Sequence, residues 1–144
     1  NLLLEQCSHV NGSGNVFRRH TTKLHTGVRL VDSTDCVISS SSFRDESEEG
    51  QKNGASLLEL VDCRRITVLG CQLIDGAPWG LDVQQCSQVN VNACIVGGDL
   101  VAKRGEGAIR FRGKGQNNLL SSCTTEGKVQ LDPASGVKVA NTDD

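Results

Sequence analysis

Glu59 and Asp82 are the residues of this chain best suited by type and spacing to acid–base or nucleophilic chemistry. Each stands between two apolar residues of a short run, "SLLELV" from Ser56 and "GLDVQ" from Gly80. The same place is taken by Arg29 in "GVRLV", Arg110 in "GAIRFR" and Lys138 in "GVKVA". If these runs are neighbouring strands of one sheet, the five side chains form a column with a rise of about 4.8 Å per strand. Two carboxylates at that rise approach the roughly 5 to 5.5 Å that a retaining glycosidase requires. The same column also reads as an exposed ladder of ion pairs, Arg29 with Glu59 and Asp82 with Arg110, each contributing about 0 to 1 kcal/mol. A second column lies two positions further on, with Val31, Val61, Gln84, Arg112 and Ala140.

A sheet that positions such a column needs many short parallel strands, and the chain is built for that. Gly is abundant, Pro is rare, and apolar residues alternate with polar ones over short stretches rather than recurring at helical spacing. A second set of runs repeats alongside the first: "NLLLEQCSHV" (1–10), "CVISSSSFRD" (36–45), "ITVLGCQLID" (66–75), "VNVNACIVGG" (89–98) and "NLLSSCTTEG" (118–127), at intervals of 23 to 30 residues. From Leu30 to Cys36, Leu60 to Ile66 and Val83 to Val89 the gap is six positions, and from Phe111 to Asn118 it is seven. A fixed corner followed by a loop of variable length, turn after turn, describes a coil stacked on copies of itself.

Inward columns follow from the alternation of Cβ directions. Val28, Leu58, Leu81, Ile109 and Val137 form one, Leu30, Leu60, Val83, Phe111 and Val139 the next, and Ile38, Val68, Val91 and Leu120 a third. Aligned in this way, Cys71 falls in line with Cys7, Ser41, Cys94 and Cys123, and Cys63 with Ser33 and Cys86. Small, weakly polar thiols suit narrow corners. Disulfides and a metal site are the competing readings, but seven Cys is an odd number and no CxxC pair occurs.

The coil length, the Gly before each strand and the stacked corner residues resemble the right-handed parallel β-helix of the pectate lyase-like superfamily. The expected fold is therefore all-β, one parallel β-helix domain over residues 1–144 with about five coils of 23 to 30 residues. The resemblance implies polysaccharide recognition or processing, by a lyase or a glycoside hydrolase, outside the cell or at its surface. Lyases of this superfamily often use a Lys or Arg as base beside calcium-binding acids, and Arg110, Arg112 and Lys138 are the nearest candidates, with Glu59 and Asp82 as a carboxylate pair. Trp79, Arg29 and Lys138 are candidate substrate contacts. A non-catalytic structural or adhesin-like segment is the alternative, since fold alone does not specify activity.

Other candidates are weighed on chemistry alone. Trp79 in "DGAPWG" can stack on a sugar ring or cover an edge of the core. Asp45, Glu46, Glu48 and Glu49 offer hard oxygen ligands for calcium without the ordered spacing of a calcium loop, and a solvated loop is the competing reading. Apart from that calcium, no cofactor and no metal are expected. His9 aligns with the inward Phe43, Leu73 and Val96, whereas His20, His25, Arg18, Arg19 and Lys23 form a local basic loop. "GKGQNN" leads into no helix, which argues against a phosphate loop. The net charge of −2, with both signs interspersed, excludes the basic stripe of a nucleic-acid binder. No apolar run nears the roughly 20 residues of a membrane span. The chain begins and ends within strand-like runs, so flanking coils or an oligomer are expected to cover the solenoid ends.

Overall fold

Alternation of apolar and polar residues over four to six positions produces short strands buried on one side, as in Leu58–Val61, where Leu58 and Leu60 are fully buried and Glu59 points outward. The computed structural model describes residues 2–19, 27–46, 56–99 and 107–142. In chain order the strands are β1 (Leu2–Glu5), β2 (Asn11–Ser13), β3 (Val16–Arg19), β4 (Val28–Val31), β5 (Thr34–Ser39), β6 (Ser42–Asp45), β7 (Leu58–Val61), β8 (Arg64–Leu69) and β9 (Gln72–Ile74). They continue as β10 (Trp79–Gln84), β11 (Ser87–Asn92), β12 (Ile95–Gly97), β13 (Gly107–Arg112), β14 (Asn118–Ser121), β15 (Thr124–Thr125), β16 (Lys128–Leu131) and β17 (Val137–Ala140).

These strands form three parallel sheets. The first stacks β1, β4, β7, β10, β13 and β16, the second β2, β5, β8, β11, β14 and β17, and the third β3, β6, β9, β12 and β15. Each coil passes once through each sheet, which makes the protein an all-β parallel β-solenoid. No helix among the described residues is long and apolar enough to cross a membrane.

The chain changes sheet by placing single residues in the left-handed region. Asp32, Asp62 and Gln85 (φ 47°, 52° and 52°) do so leaving the first sheet, and Ser40, Gly70, Ala93 and Ser122 do so leaving the second. Asp and Ser tolerate this conformation better than most residues because their short side chains bond to nearby backbone. Backbone bonds to the neighbouring coil, such as Asp32 N to Val61 O and Asp62 N to Gln84 O, both 3.0 Å, fix each corner in the stack.

Inside the coils, in-register columns fill the core. Val28, Leu58, Leu81 and Ile109 form one, and Leu30, Leu60, Val83 and Phe111 another. Ile38, Val68, Val91 and Leu120 line the second sheet. Phe43, Leu73 and Val96 line the third, and Phe17 stacks on Phe43 with ring centroids 4.9 Å apart.

The two ends differ from the sequence-based alignment. "NLLLE" is a strand of the first sheet, with Leu2 and Leu4 beside Val28 and Leu30. His9 is consequently an exposed corner residue at φ 59°, and Phe17 holds the inward place assigned to it. Cys7 shifts likewise. Its amide donates to Ser33 Oγ, which places it at the corner of Ser33 and Cys63, while Asn15 is the first-coil neighbour of Ser41. At the other end, Val137 and Val139 are not in the first sheet. Their strand β17 pairs with β14, and Val129 and Leu131 of β16 continue the columns of Ile109 and Phe111. The physical reason is that Gly136 terminates a short 3-10 turn, Pro133–Ser135, rather than opening a strand of the first sheet. Ala140 accordingly lies beside Ser121.

Candidate functional site

The outward face of the first sheet is built by strict register. Arg29 pairs with Glu59, Glu59 with Asp82 and Asp82 with Arg110 across β4, β7, β10 and β13. The next place belongs to Gln130, not Lys138, which is exposed beside Leu119 on the second sheet. Lys138 is thereby removed from the column that made it a candidate substrate contact. Arg112 stands two positions beyond Arg110, beside Gln84.

Asp82 is the centre of this face and is only 4% exposed. Arg110 donates to it through Nε at 3.0 Å and Nη2 at 2.7 Å, and Arg112 through Nε at 3.2 Å and Nη2 at 3.0 Å. Each carboxylate oxygen therefore accepts from both guanidiniums, which fills the lone-pair directions a general base needs. Glu59 is held separately: Ser56 N donates to Oε1 at 2.9 Å, and Arg29 Nε lies 3.4 Å from Oε2. The two carboxylates are thus adjacent in register, yet Glu59 is engaged by Arg29 and Asp82 by Arg110 and Arg112. Each arginine retains further N–H groups beyond those directed at Asp82. The side chains of Arg29 and Arg112 are nearly half exposed, so the face presents donors to solvent.

Trp79 opens β10 and lies largely buried beneath this cluster. Arg110 sits over the indole, 4.9 Å from the ring centroid, a cation–π contact. Gly107 packs against the other part of the ring so closely that a Cβ there would come within 2.0 Å of Trp79 Cε3. The indole therefore supports Arg110 and covers an edge of the core, the second of the two readings given for it.

The acidic stretch is also used differently. Asp45 is buried against Arg19, whose Nη2 also donates to the Ala77 carbonyl at 2.8 Å. Arg19 is thus an interior residue, not part of a basic loop. A signal for this pair was present in the alignment of "FRR" and "FRD" on Phe17 and Phe43, which brings Arg19 and Asp45 into register. Glu46 lies 4.0 Å from Arg18. Glu48, Glu49, His20, Lys23 and His25 lie outside the described residues. Among the described residues no group of three His, Cys, Asp or Glu side chains is arranged to hold a metal ion.

The cysteines are free, and all but Cys7 are buried. Cys63 N donates to Cys86 Sγ at 3.3 Å, and thiols donate to nearby carbonyls, for instance Cys86 to Gln84 O at 3.1 Å and Cys123 to Ser121 O at 3.2 Å. Hydrogen bonding to Cys63 and then burial push the Cys86 thiol up, and Cys94 is pushed up by Cys123, Cys71 and burial. Burial alone leads in raising Cys36.

No protein-family model matches the chain, and no curated protein matches it. Of the resemblance stated above, the structure bears out the parallel β-solenoid, and no match supports the pectate lyase-like superfamily in particular.

Proposed function

We propose that this solenoid recognises an acidic polysaccharide without cleaving it, outside the cell or at its surface, through Arg29, Arg110 and Arg112 on the first sheet. The observation that supports this reading most is the double bidentate clamp on Asp82. It occupies the carboxylate that acid–base chemistry would need, and it orders two planar guanidiniums whose remaining N–H groups match carboxylate or sulfate groups on a sugar chain. The buried indole beneath Arg110 restricts that side chain further.

Binding to polygalacturonate, alginate and a sulfated glycosaminoglycan, with and without calcium, tests the reading. The expected result is binding that weakens with salt, because the contacts are between exposed charges, and that weakens further in Arg112→Gln. New reducing or unsaturated ends, lost in Asp82→Asn, would establish an enzyme instead.

A structural or adhesin-like role is supported by a separate observation, the apolar rim of the first coil. Leu2 is exposed there, and with Leu4, Val10 and Phe17 it borders an apolar hollow. Flanking coils or a second copy would cover such a rim. Sedimentation at rising concentration distinguishes self-association from a chain that stays monomeric.

A further inference from the structure

The corner between the first and second sheets is longer next to β13 than in the middle coils. There the gap from Phe111 to Asn118 is one residue longer than the six positions found between Leu60 and Ile66 or Val83 and Val89. The extra residue bows out "GKGQ" (113–116) and leaves a groove of about 520 Å³ lined by Asp62, Gln85, Ser87, Lys114, Gly115 and Gln116. That volume lies within the usual range of ligand sites.

The loop is held rather than loose. Gly113 adopts φ 75°, and its amide donates to Asp132 Oδ2 at 3.1 Å. Gly115 lies so close to the previous coil that a Cβ would come within 2.1 Å of the Cys86 carbonyl, and its amide donates to Ala134 O at 2.9 Å. Gln116 N donates to Ser87 Oγ at 3.2 Å. Beneath them the buried Asn118 accepts from Val89 N at 2.8 Å and donates to the carbonyls of Cys86 and Ser135 at 2.9 and 2.8 Å. Such a base keeps the groove formed in the absence of a ligand.

The lining selects a class of ligand. It has two primary amides, a hydroxyl, one carboxylate and one ammonium, and no apolar side chain. Asp62 and Lys114 contribute one formal charge of each sign, so the lining has no net formal charge. Amides and hydroxyls both donate and accept, which suits a neutral ligand dense in groups that do the same. We propose that this groove is a binding site for a neutral, hydroxyl-rich sugar residue, read by Gln85, Gln116 and Lys114. The site lies at the corner beyond the Arg112 column, separate from the guanidinium face. It shares the polysaccharide class of the proposed function but does not require acidic groups.

Cellotetraose and xylotetraose serve as neutral probes and tetragalacturonate as the acidic one. At millimolar concentrations the neutral probes are expected to shift the side-chain amide resonances of Gln85 and Gln116. Gln116→Ala, which keeps the backbone bond to Ser87, and Gln85→Ala should each weaken that binding about 10-fold, on the scale of one or two lost hydrogen bonds. Arg112→Gln should leave it unchanged while weakening tetragalacturonate. Neutral probes that leave these resonances in place, or that bind Gln85→Ala and Gln116→Ala as well as the parent, would overturn the site. In that event, tetragalacturonate binding that is lost in Arg112→Gln would still support the guanidinium face, so the two proposals fail separately.

Discussion

The middle coils and the first coil carry the same kinds of residue in the same register, yet differ sharply in burial. Leu60 and Val83 in the middle are 0% and 1% exposed, whereas Leu2, at an inward place of the first coil beside Val28, is 41% exposed, and Leu4, in the column of Leu60, is only half-buried. Val139 at the opposite end is 50% exposed. A coil of this solenoid does not bury its own interior; its neighbours on both sides do so. The stability of the molecule should therefore be concentrated where a coil has two neighbours, and a residue's place in the stack should matter more than its type.

The largest expected effect tests that statement within one column. Leu60→Ala in the middle should cost about 3 to 5 kcal/mol, the range for a fully buried leucine whose cavity cannot collapse. Leu4→Ala, two coils earlier in the same column, should cost only about 1 to 2 kcal/mol, because Leu4 is half-buried and solvent already reaches that rim. Chemical denaturation of the two variants measures the difference. Equal losses would mean that the first coil is covered in solution, by self-association, and would remove the contrast.

The outward face supplies the next comparison. Asp82→Asn removes the shared partner of two arginines from a buried position and should cost about 1 to 3 kcal/mol, less than a fully buried pair because Arg110 and Arg112 are partly exposed. Glu59→Gln, whose partner Arg29 is nearly half exposed, should cost under about 1 kcal/mol. Thermal melts of both variants, with binding to acidic glycans measured in parallel, separate a structural clamp from a recognition surface. A loss of cleavage without a loss of stability would favour catalysis by Asp82.

The register of the middle coils was legible because both neighbours of each strand repeat its alternation. Leu58, Leu81 and Ile109, or Ile38, Val68 and Val91, align in only one way that keeps every apolar side chain inside. At the ends that constraint is halved. "NLLLEQCSHV" can be aligned with either sheet as long as only its far side must match, and the result was His9 and Cys7 assigned to interior and corner places that Phe17 and Asn15 occupy. "KVQL" at Lys128–Leu131 alternates as well as "VKVA" does, and the Gly before the latter serves the end of a 3-10 turn rather than the start of a first-sheet strand. The outward column was readable from Arg29 to Arg110 for the same reason as the core. What spacing did not reveal was side-chain direction: that Arg112 would reach back to Asp82, that Trp79 would lie beneath Arg110, and that Arg19 would turn inward to Asp45.

Thiol chemistry sharpens the contrast on a smaller scale. Cys7 in the first coil is half-buried and the six others are buried. A thiol reagent added to the folded protein should modify Cys7 at least about 10-fold faster than any of the others, a difference of about 1.4 kcal/mol in the cost of exposure. All seven should react at once after denaturation without reductant. A total below seven would show that stacked cysteines such as Cys63 and Cys86 are joined in a disulfide.

The smallest effect concerns a corner ion pair between the second and third coils. Arg65 donates to Asp35 through Nε at 2.5 Å and Nη2 at 2.7 Å, and this hydrogen bonding holds the Asp35 carboxyl down at about 2. An unfolded aspartate titrates near about 3.9. Because the folded value is the lower one, the pair's contribution is complete above the unfolded value and is lost as pH falls through about 2. Both side chains are solvent-accessible, so salt should screen the pair and its removal should hardly move a melting curve. A carboxyl-carbon NMR titration should show the Asp35 midpoint near 2 and its return toward the ordinary aspartate value in Arg65→Gln. A large loss of stability in that variant would place strength in the charged corners rather than in the stacked interior, and would break the contrast between middle and end coils on which the other expectations depend.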